Sequence, residues 1–344
     1  MFAGPRRWLA GLASGLTTLL AIVLVGILAG AWLYNAPGPA ARKGAETNVI
    51  LRKGAGLSEI AGALERGGVV RSSAFFLAAA QLSGSARGLK AGEYAFPSRA
   101  SLSRIVAKIK SGDIVHHHIT IAEGLTSQQA ADILSKSDIL TGSAPTPPEG
   151  ALLPETYEVT RGDDRGAVLE RMTGARDRLL AQLWAKRKPD LPFETPDQAV
   201  TLASIVEKET ALASERPKVA AVYINRLRRG MPLQADPTIV YGVSGGEPLG
   251  RGLLQSELSA DGPYNTYLNP GLPPTPIGNP GRASLAAVLD PPSTRDLYFV
   301  ADGSGGHVFA ETYEEHETNV AHWRQVERER KAAKPAVPPS APAR

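Results

Sequence analysis

Residues 195–210 read TPDQAVTLASIVEKET. Thr195 is placed to cap a first turn, Pro196 fills the first helical position, where no N–H is needed, and Gln198 stands at the reciprocal capping position. The apolar run behind these signals predicts a helix carrying Leu202 to Thr210. At 100° per residue, Glu207 falls on the face of Val200, Ala203, Ser204 and Ala211. Glu209 points nearly opposite, beside Leu202 and Ile205, so only one of the two can face a given cleft. A carboxyl on a small apolar face is partly desolvated and keeps its proton toward neutral pH, as a general acid must. That argument selects Glu207, although a plain surface glutamate fits the same pattern.

Working outward, Ser214-Glu-Arg-Pro217 starts a second helix through Val219, Val222, Tyr223 and Leu227, which Gly230 ends. Upstream, Arg165 to Lys186 carries Val168, Leu169, Met172, Leu179, Leu180 and Leu183 near a 3.6 period, a packing helix. Thr141–Gly150, TGSAPTPPEG, reads as a domain boundary. Downstream, Met231 to Pro292 is rich in Pro, Gly, Asn and Tyr and is expected to be irregular and functional. Leu297-Tyr-Phe-Val-Ala and His307-Val-Phe-Ala predict a β-hairpin about a DGSGG turn, and Thr312 to Glu315 caps a last helix through Trp323. The Pro/Ala-rich tail, 335–344, is expected to be disordered.

On the N-terminal side a strand, a glycine turn and a capped helix recur. Val49 to Gly54 with Leu57-Ser-Glu-Ile-Ala61 matches Ile119 to Gly124 with Thr126-Ser-Gln-Gln-Ala130, and Gly92-Glu-Tyr-Ala-Phe96 with Ser101-Leu-Ser-Arg-Ile105 is a weaker copy. Such units resemble LysM-type glycan-binding modules, though any α+β domain contains turns of this kind. No residue between Arg7 and Arg42 is charged, and Trp8 to Tyr34 exceeds the ~20 apolar residues that cross a bilayer. Trp8, Trp32 and Tyr34 bracket it as interfacial aromatics. Ala29-Gly30-Ala31 keeps a cleaved signal peptide open as the alternative. With Arg6 and Arg7 on a short tail, the expected orientation is N-terminus in the cytoplasm and bulk outside. The expected organisation is a cytoplasmic tail (1–7), a transmembrane helix (8–34), a linker (35–48), LysM-like modules (49–141) and a catalytic domain (150–331).

Composition narrows the function classes. The 344 residues carry a net charge of +4, but positives alternate with acids and do not cluster with aromatics, so nucleic acid is not an expected partner. The absence of cysteine excludes disulfides, thiol catalysis and cysteine-ligated zinc. His116-His117-His118 invites a metal reading, but strand alternation sends the middle imidazole to the opposite face and no third ligand is in view, so no metal is expected.

Leu202–Thr210, Ser214-Glu-Arg216, Val219–Leu227, Leu233–Gly242, Tyr264–Tyr267, Gly271-Leu-Pro-Pro274 and Leu297–Asp302 with Gly306-His307, taken in order, resemble the YceG-like endolytic murein transglycosylases. Pro154-Glu-Thr-Tyr157 matches the short motif before their catalytic domain, with Glu where Asp is commoner. The resemblance implies an α+β chain: an N-terminal transmembrane helix, small LysM-like α/β modules, then a mostly helical lysozyme-like domain with a β-hairpin. It implies peptidoglycan glycan strands as substrate, a single-pass anchor in the inner membrane, cell-wall synthases as partners, and no cofactor. The catalytic glutamate carries over to Glu207. Asp236, Tyr264, Asn265, Thr266 and Tyr267 are expected to line the sugar groove or to build its loops. Ser204 is expected to orient the carboxyl or fill space, and Glu209 to play a lesser part in substrate binding. A muramidase using Asp236 or Glu155 to handle water, and a non-catalytic glycan-binding scaffold, are the competing readings.

Overall fold

The first element of the computed structural model, which describes residues 5–333, is the 31-residue helix α1 (Pro5–Asn35). Its segment Ser14–Asn35 is long and apolar enough to cross a membrane, and none of it is buried in protein. At ~1.5 Å per residue it matches a ~30 Å hydrocarbon core. The linker expected over 35–48 is in fact tied down. Gly38 N–H donates to Arg99 O at 3.2 Å, Arg99 N–H to Pro39 O at 2.9 Å, and Ala41 N–H to Ser98 Oγ at 3.0 Å.

These contacts belong to the first of two compact units, which comprises the chain up to His117 together with Glu158–Gly162. Its order is β1 (Glu46–Leu51), α2 (Leu57–Arg66), α3 (Ser73–Leu82), β2 (Gly92–Pro97) and α4 (Leu102–Ser111). The strands pair antiparallel, Glu46 opposite Pro97 and Leu51 opposite Gly92. Period-2 alternation turns Val49, Leu51, Tyr94 and Phe96 inward against Ile60, Leu64, Phe76, Ile105 and Ile109. The buried Tyr94 hydroxyl is satisfied by Lys90 O at 2.8 Å. Ser101 caps α4 and Gly112, at φ 76°, ends it, which only glycine does without strain.

The second unit contains His118–Tyr157 and everything from Asp163 on. The elements that follow α4 are β3 (His117–Thr120), α5 (Ser127–Lys136), β4 (Thr156–Val159), α6 (Arg165–Ala185), α7 (Pro196–Glu209), α8 (Arg216–Arg228), α9 (Asp236–Ser244), α10 (Gln255–Leu258), α11 (Arg282–Leu289), β5 (Tyr298–Ala301), β6 (His307–Ala310) and α12 (Tyr313–Ala333). β3 pairs with β4, and β5 with β6 antiparallel. The expected hairpin and the capping box of α7, Thr195 with Gln198, are present. The core gathers around α7, whose residues Ala199 to Val206 are all buried, with Leu179, Leu180, Val219, Tyr223, Leu285 and Val288 against it.

Two expectations differ from this outcome. The division falls at His117–His118, not at Thr141–Gly150, so the strand-turn-helix copy at Ile119–Ala130 is part of the second unit. Gly124 N–H donates to Asn279 O and Asn279 N–H to Leu125 O, both at 2.8 Å, a pairing no local pattern announces. Met231 to Pro292 also holds three helices, among them α11 with Leu285, Val288 and Leu289 buried; flanking Pro and Gly hid an eight-residue core helix. The tail over 335–344 lies outside the described residues.

Candidate active site

α7 ends at Glu209, so Glu207 and Glu209 occupy its last turn, where carbonyl ends disfavour negative charge. Their surroundings are unlike. The Glu207 side chain is 4% exposed, and both oxygens are engaged: Arg216 Nη2 donates to Oε1 at 2.7 Å and Gly281 N–H to Oε2 at 2.9 Å. Arg216 also reaches Glu123 Oε2 at 3.1 Å. Glu207 thereby ties the start of α8 to the start of α11. A Cβ on Gly281 would overlap the Glu123 carboxyl, so a side chain there would push that carboxyl aside.

Among the described residues the Glu209 carboxyl has one direct hydrogen-bond partner. The Tyr223 hydroxyl, from α8, donates to Oε1 at 2.6 Å. Burial raises the Glu209 carboxyl to about 7; the Tyr223 bond opposes the rise, the negative Asp236 adds to it, and His307 and Arg226 oppose it. It is thus a carboxyl that holds a proton near neutrality, the property the helical-face argument assigned to Glu207. The faces could not separate the two glutamates because Ala199–Val206 are buried all round.

The groups around Glu209 are held by loop architecture. Asp236 opens α9, and its Oδ1 accepts the Tyr267 hydroxyl at 2.6 Å. Burial, then the Asp236 hydrogen bond, push the Tyr267 phenol well above its ordinary range, so it stays a donor. Arg226 is buried, and its guanidinium donates to the carbonyls of Leu297, Pro232 and Leu233 and to Gln234 Oε1, at 2.6 to 3.2 Å. This anchors the loop after α8 and the base of the hairpin to one side chain. His307 Nδ1 is 2.8 Å from Glu215 Oε2, while His307 N–H donates to Glu215 Oε1 at 2.8 Å and Thr210 Oγ1 donates to Oε2 at 3.2 Å.

A YceG-like family model matches residues 49–322. The chain belongs to the YceG-like family. It is 31% identical to an endolytic murein transglycosylase of Bacillus subtilis (strain 168), over 84% of this chain and 89% of that one. It is 28% identical to an endolytic murein transglycosylase of Streptococcus pneumoniae serotype 2 (strain D39), over 79% of this chain and 57% of that one. A YceG-like protein of Listeria monocytogenes, solved by crystallography, is 30% identical over 79% of this chain and 98% of its own, with a TM-score of 0.49.

In this YceG-like chain the remaining expected residues divide. Asp236 and Tyr267 stand near Glu209, whereas Asn265 and Thr266 are buried loop supports. The Asn265 amide donates to Leu258 O and Ala260 O at 3.0 and 2.7 Å, and Thr266 Oγ1 accepts Ala235 N–H at 3.0 Å. Tyr264 bonds Thr275 Oγ1 at 2.7 Å and packs edge-on to Tyr241. Ser204 does not orient a carboxyl; it is 1% exposed, donates to Thr201 O at 2.7 Å and accepts Ile277 N–H at 3.0 Å. Sequence reasoning missed Tyr223, Arg226, Glu215 and the site position of His307. Their signal was weak, since a tyrosine and an arginine on an amphipathic helix read as packing and solvation. Among the described residues no three His, Asp or Glu side chains gather to hold a metal; His116 pairs with Glu158 and His117 with Glu93, each at 2.9 Å.

Proposed function

We propose that this protein is a peptidoglycan lytic transglycosylase, cutting glycan strands internally, with Glu209 as its acid and then its base. The activity is the one its curated YceG-like relatives are named for. The observation that carries the residue is the bond from Tyr223 to a carboxyl raised to about 7. Protonated Glu209 gives its proton to the oxygen joining N-acetylmuramic acid to N-acetylglucosamine, and the bond from that oxygen to muramic C1 breaks. The resulting carboxylate takes the proton of the muramic C6 hydroxyl as that oxygen bonds to C1. A 1,6-anhydro ring forms, water is not consumed, and the carboxyl is restored. The substrate's own N-acetyl group can stabilise C1 in between, so no second carboxylate is needed. Tyr223 fixes Oε1, leaving Oε2 for the transferred proton.

This assignment moves the catalytic role from Glu207, whose oxygens are both committed to Arg216 and Gly281, to its neighbour. The β1–α2–α3–β2 order, with its antiparallel strand pair, supports a LysM-like reading of the first unit and hence glycan holding. The helical surroundings of α7 and α8 support a lysozyme-like reading of the second. The bare apolar surface of α1 supports a single-pass anchor in the inner membrane, N-terminus inside, bringing the catalytic unit to strands newly made by cell-wall synthases. Digestion of purified peptidoglycan by the protein, read by mass spectrometry, tests the activity. Anhydro-ended fragments are expected; reducing ends, heavier by one water, would make it a muramidase, and intact glycan would leave a binding scaffold.

A further inference from the structure

α3 contains no charged residue, and it packs only one side. Phe76 and Ala80 enter the core, whereas Phe75 is 55% and Leu82 90% exposed, and Ala78 is exposed between them. These three recur at helical spacing and form one apolar stripe. Water is an unfavourable neighbour for such a stripe, and among the described residues the end of α1 borders it but nothing buries it.

Its position identifies what does. Ala31 and Tyr34, at the end of α1, line one groove with Phe75, Leu82 and Leu102. The stripe is therefore continuous with the uncovered apolar surface of α1. The connection is rigid as well as near, since Gly38, Pro39 and Ala41 are hydrogen-bonded to Ser98 and Arg99, and a Cβ on Gly38 would overlap Ala100 O. Where α1 leaves the hydrocarbon, α3 must be. Charge fits the same place: Arg71, two residues before α3, reaches Pro37 O just after α1 at 3.5 Å, and Arg42 and Lys43 follow in the same stretch of chain; all three are exposed, as bases that meet lipid phosphates must be.

We propose that α3 lies in the headgroup–acyl boundary of the membrane that α1 crosses, with Phe75, Ala78 and Leu82 against lipid chains, so that the first unit rests on the bilayer surface. This rests on reading α1 as a membrane span. The chain has no cysteine, so single cysteines report position cleanly. The full chain carrying Leu82→Cys, Leu24→Cys or Ile50→Cys, each labelled with bimane, is reconstituted in phosphatidylcholine–phosphatidylglycerol nanodiscs with and without acyl-brominated lipid. Ile50 is exposed on β1, turned away from the core that α3 packs on. The Leu24 and Leu82 labels should be quenched severalfold, Leu82 best by bromine near the headgroup, and the Ile50 label unaffected. A Leu82 label as unquenched as Ile50 while Leu24 is quenched overturns the α3 proposal alone. An unquenched Leu24 label overturns the span and the proposal together.

Discussion

The Tyr223 hydroxyl and Glu209 Oε1 are 2.6 Å apart, joining the last residue of α7 to the middle of α8. Burial, and then the neighbouring Glu209, push the Tyr223 phenol well above its ordinary value, so it donates throughout the physiological range. Phe299 meets its ring edge-on at 5.8 Å and holds it there. The carboxyl thus has one fixed oxygen and one without a direct partner among the described residues.

Glu209→Gln keeps this geometry but cannot move a proton, so the release of anhydro-ended fragments should fall by at least ~10²–10⁴ with the melting temperature undiminished at pH 7. Glu207→Gln should behave in reverse. Losing the charge that Arg216 and Gly281 engage destabilises by about 1–3 kcal/mol, with the folded fraction still active. Turnover and thermal melts of both variants separate the roles; a fully stable, inactive Glu207→Gln beside an active Glu209→Gln would reverse them.

The raised Glu209 carboxyl sets an alkaline limit to activity. The acid must be protonated, so kcat/KM, which reports the free enzyme, should decline as pH rises through about 7. Stability has the same sign. The folded state binds this proton more tightly than the unfolded one, so stability from the group is complete below the ordinary carboxyl range and lost as pH rises through about 7. Glu209→Gln should therefore melt higher than wild type at pH 8, by a free energy on the order of 2–4 kcal/mol, and show no such gain at pH 4. Paired melts at the two pH values measure it.

Neighbouring charges should move that limit in predictable directions. Asp236 raises the Glu209 carboxyl, so Asp236→Asn should shift the alkaline limb to lower pH. The Tyr223 bond lowers it, so Tyr223→Phe should shift the limb upward and reduce kcat, at a stability cost of about 1–3 kcal/mol. Opposite displacements in pH–rate profiles are the signature; equal ones would detach both residues from the acid.

A fragment beginning at residue 118 should fold better than one beginning at residue 150. The shorter piece loses Glu123 and the Gly124–Leu125 pairing with Asn279, so Arg216 keeps only Glu207. Denaturant titration should give the longer fragment the higher midpoint.

Much of this was legible in the residues. Capping signals at Thr195 and Gln198 fixed the start of α7, alternation fixed the hairpin, and the uncharged run from Trp8 fixed the first helix. The choice between two glutamates was not legible. α7 is enclosed on every side, so hydrophobic periodicity carries no direction, and the groups that separate the acids lie 14 residues away for Tyr223 and 74 for Gly281. Likewise the Gly124–Asn279 pairing, which assigns a repeat-like segment to the second unit, is a long-range backbone contact without local trace.

The missing side chain of Gly281 has a genetic consequence. Any side chain there pushes the Glu123 carboxyl aside and costs Arg216 one of its two acid partners, yet leaves Tyr223 and Glu209 untouched. Lesions at Gly281 should therefore surface as temperature-sensitive alleles, with enzyme active in the cold and lost in the heat, whereas lesions at Glu209 should be silent to temperature and inactive throughout.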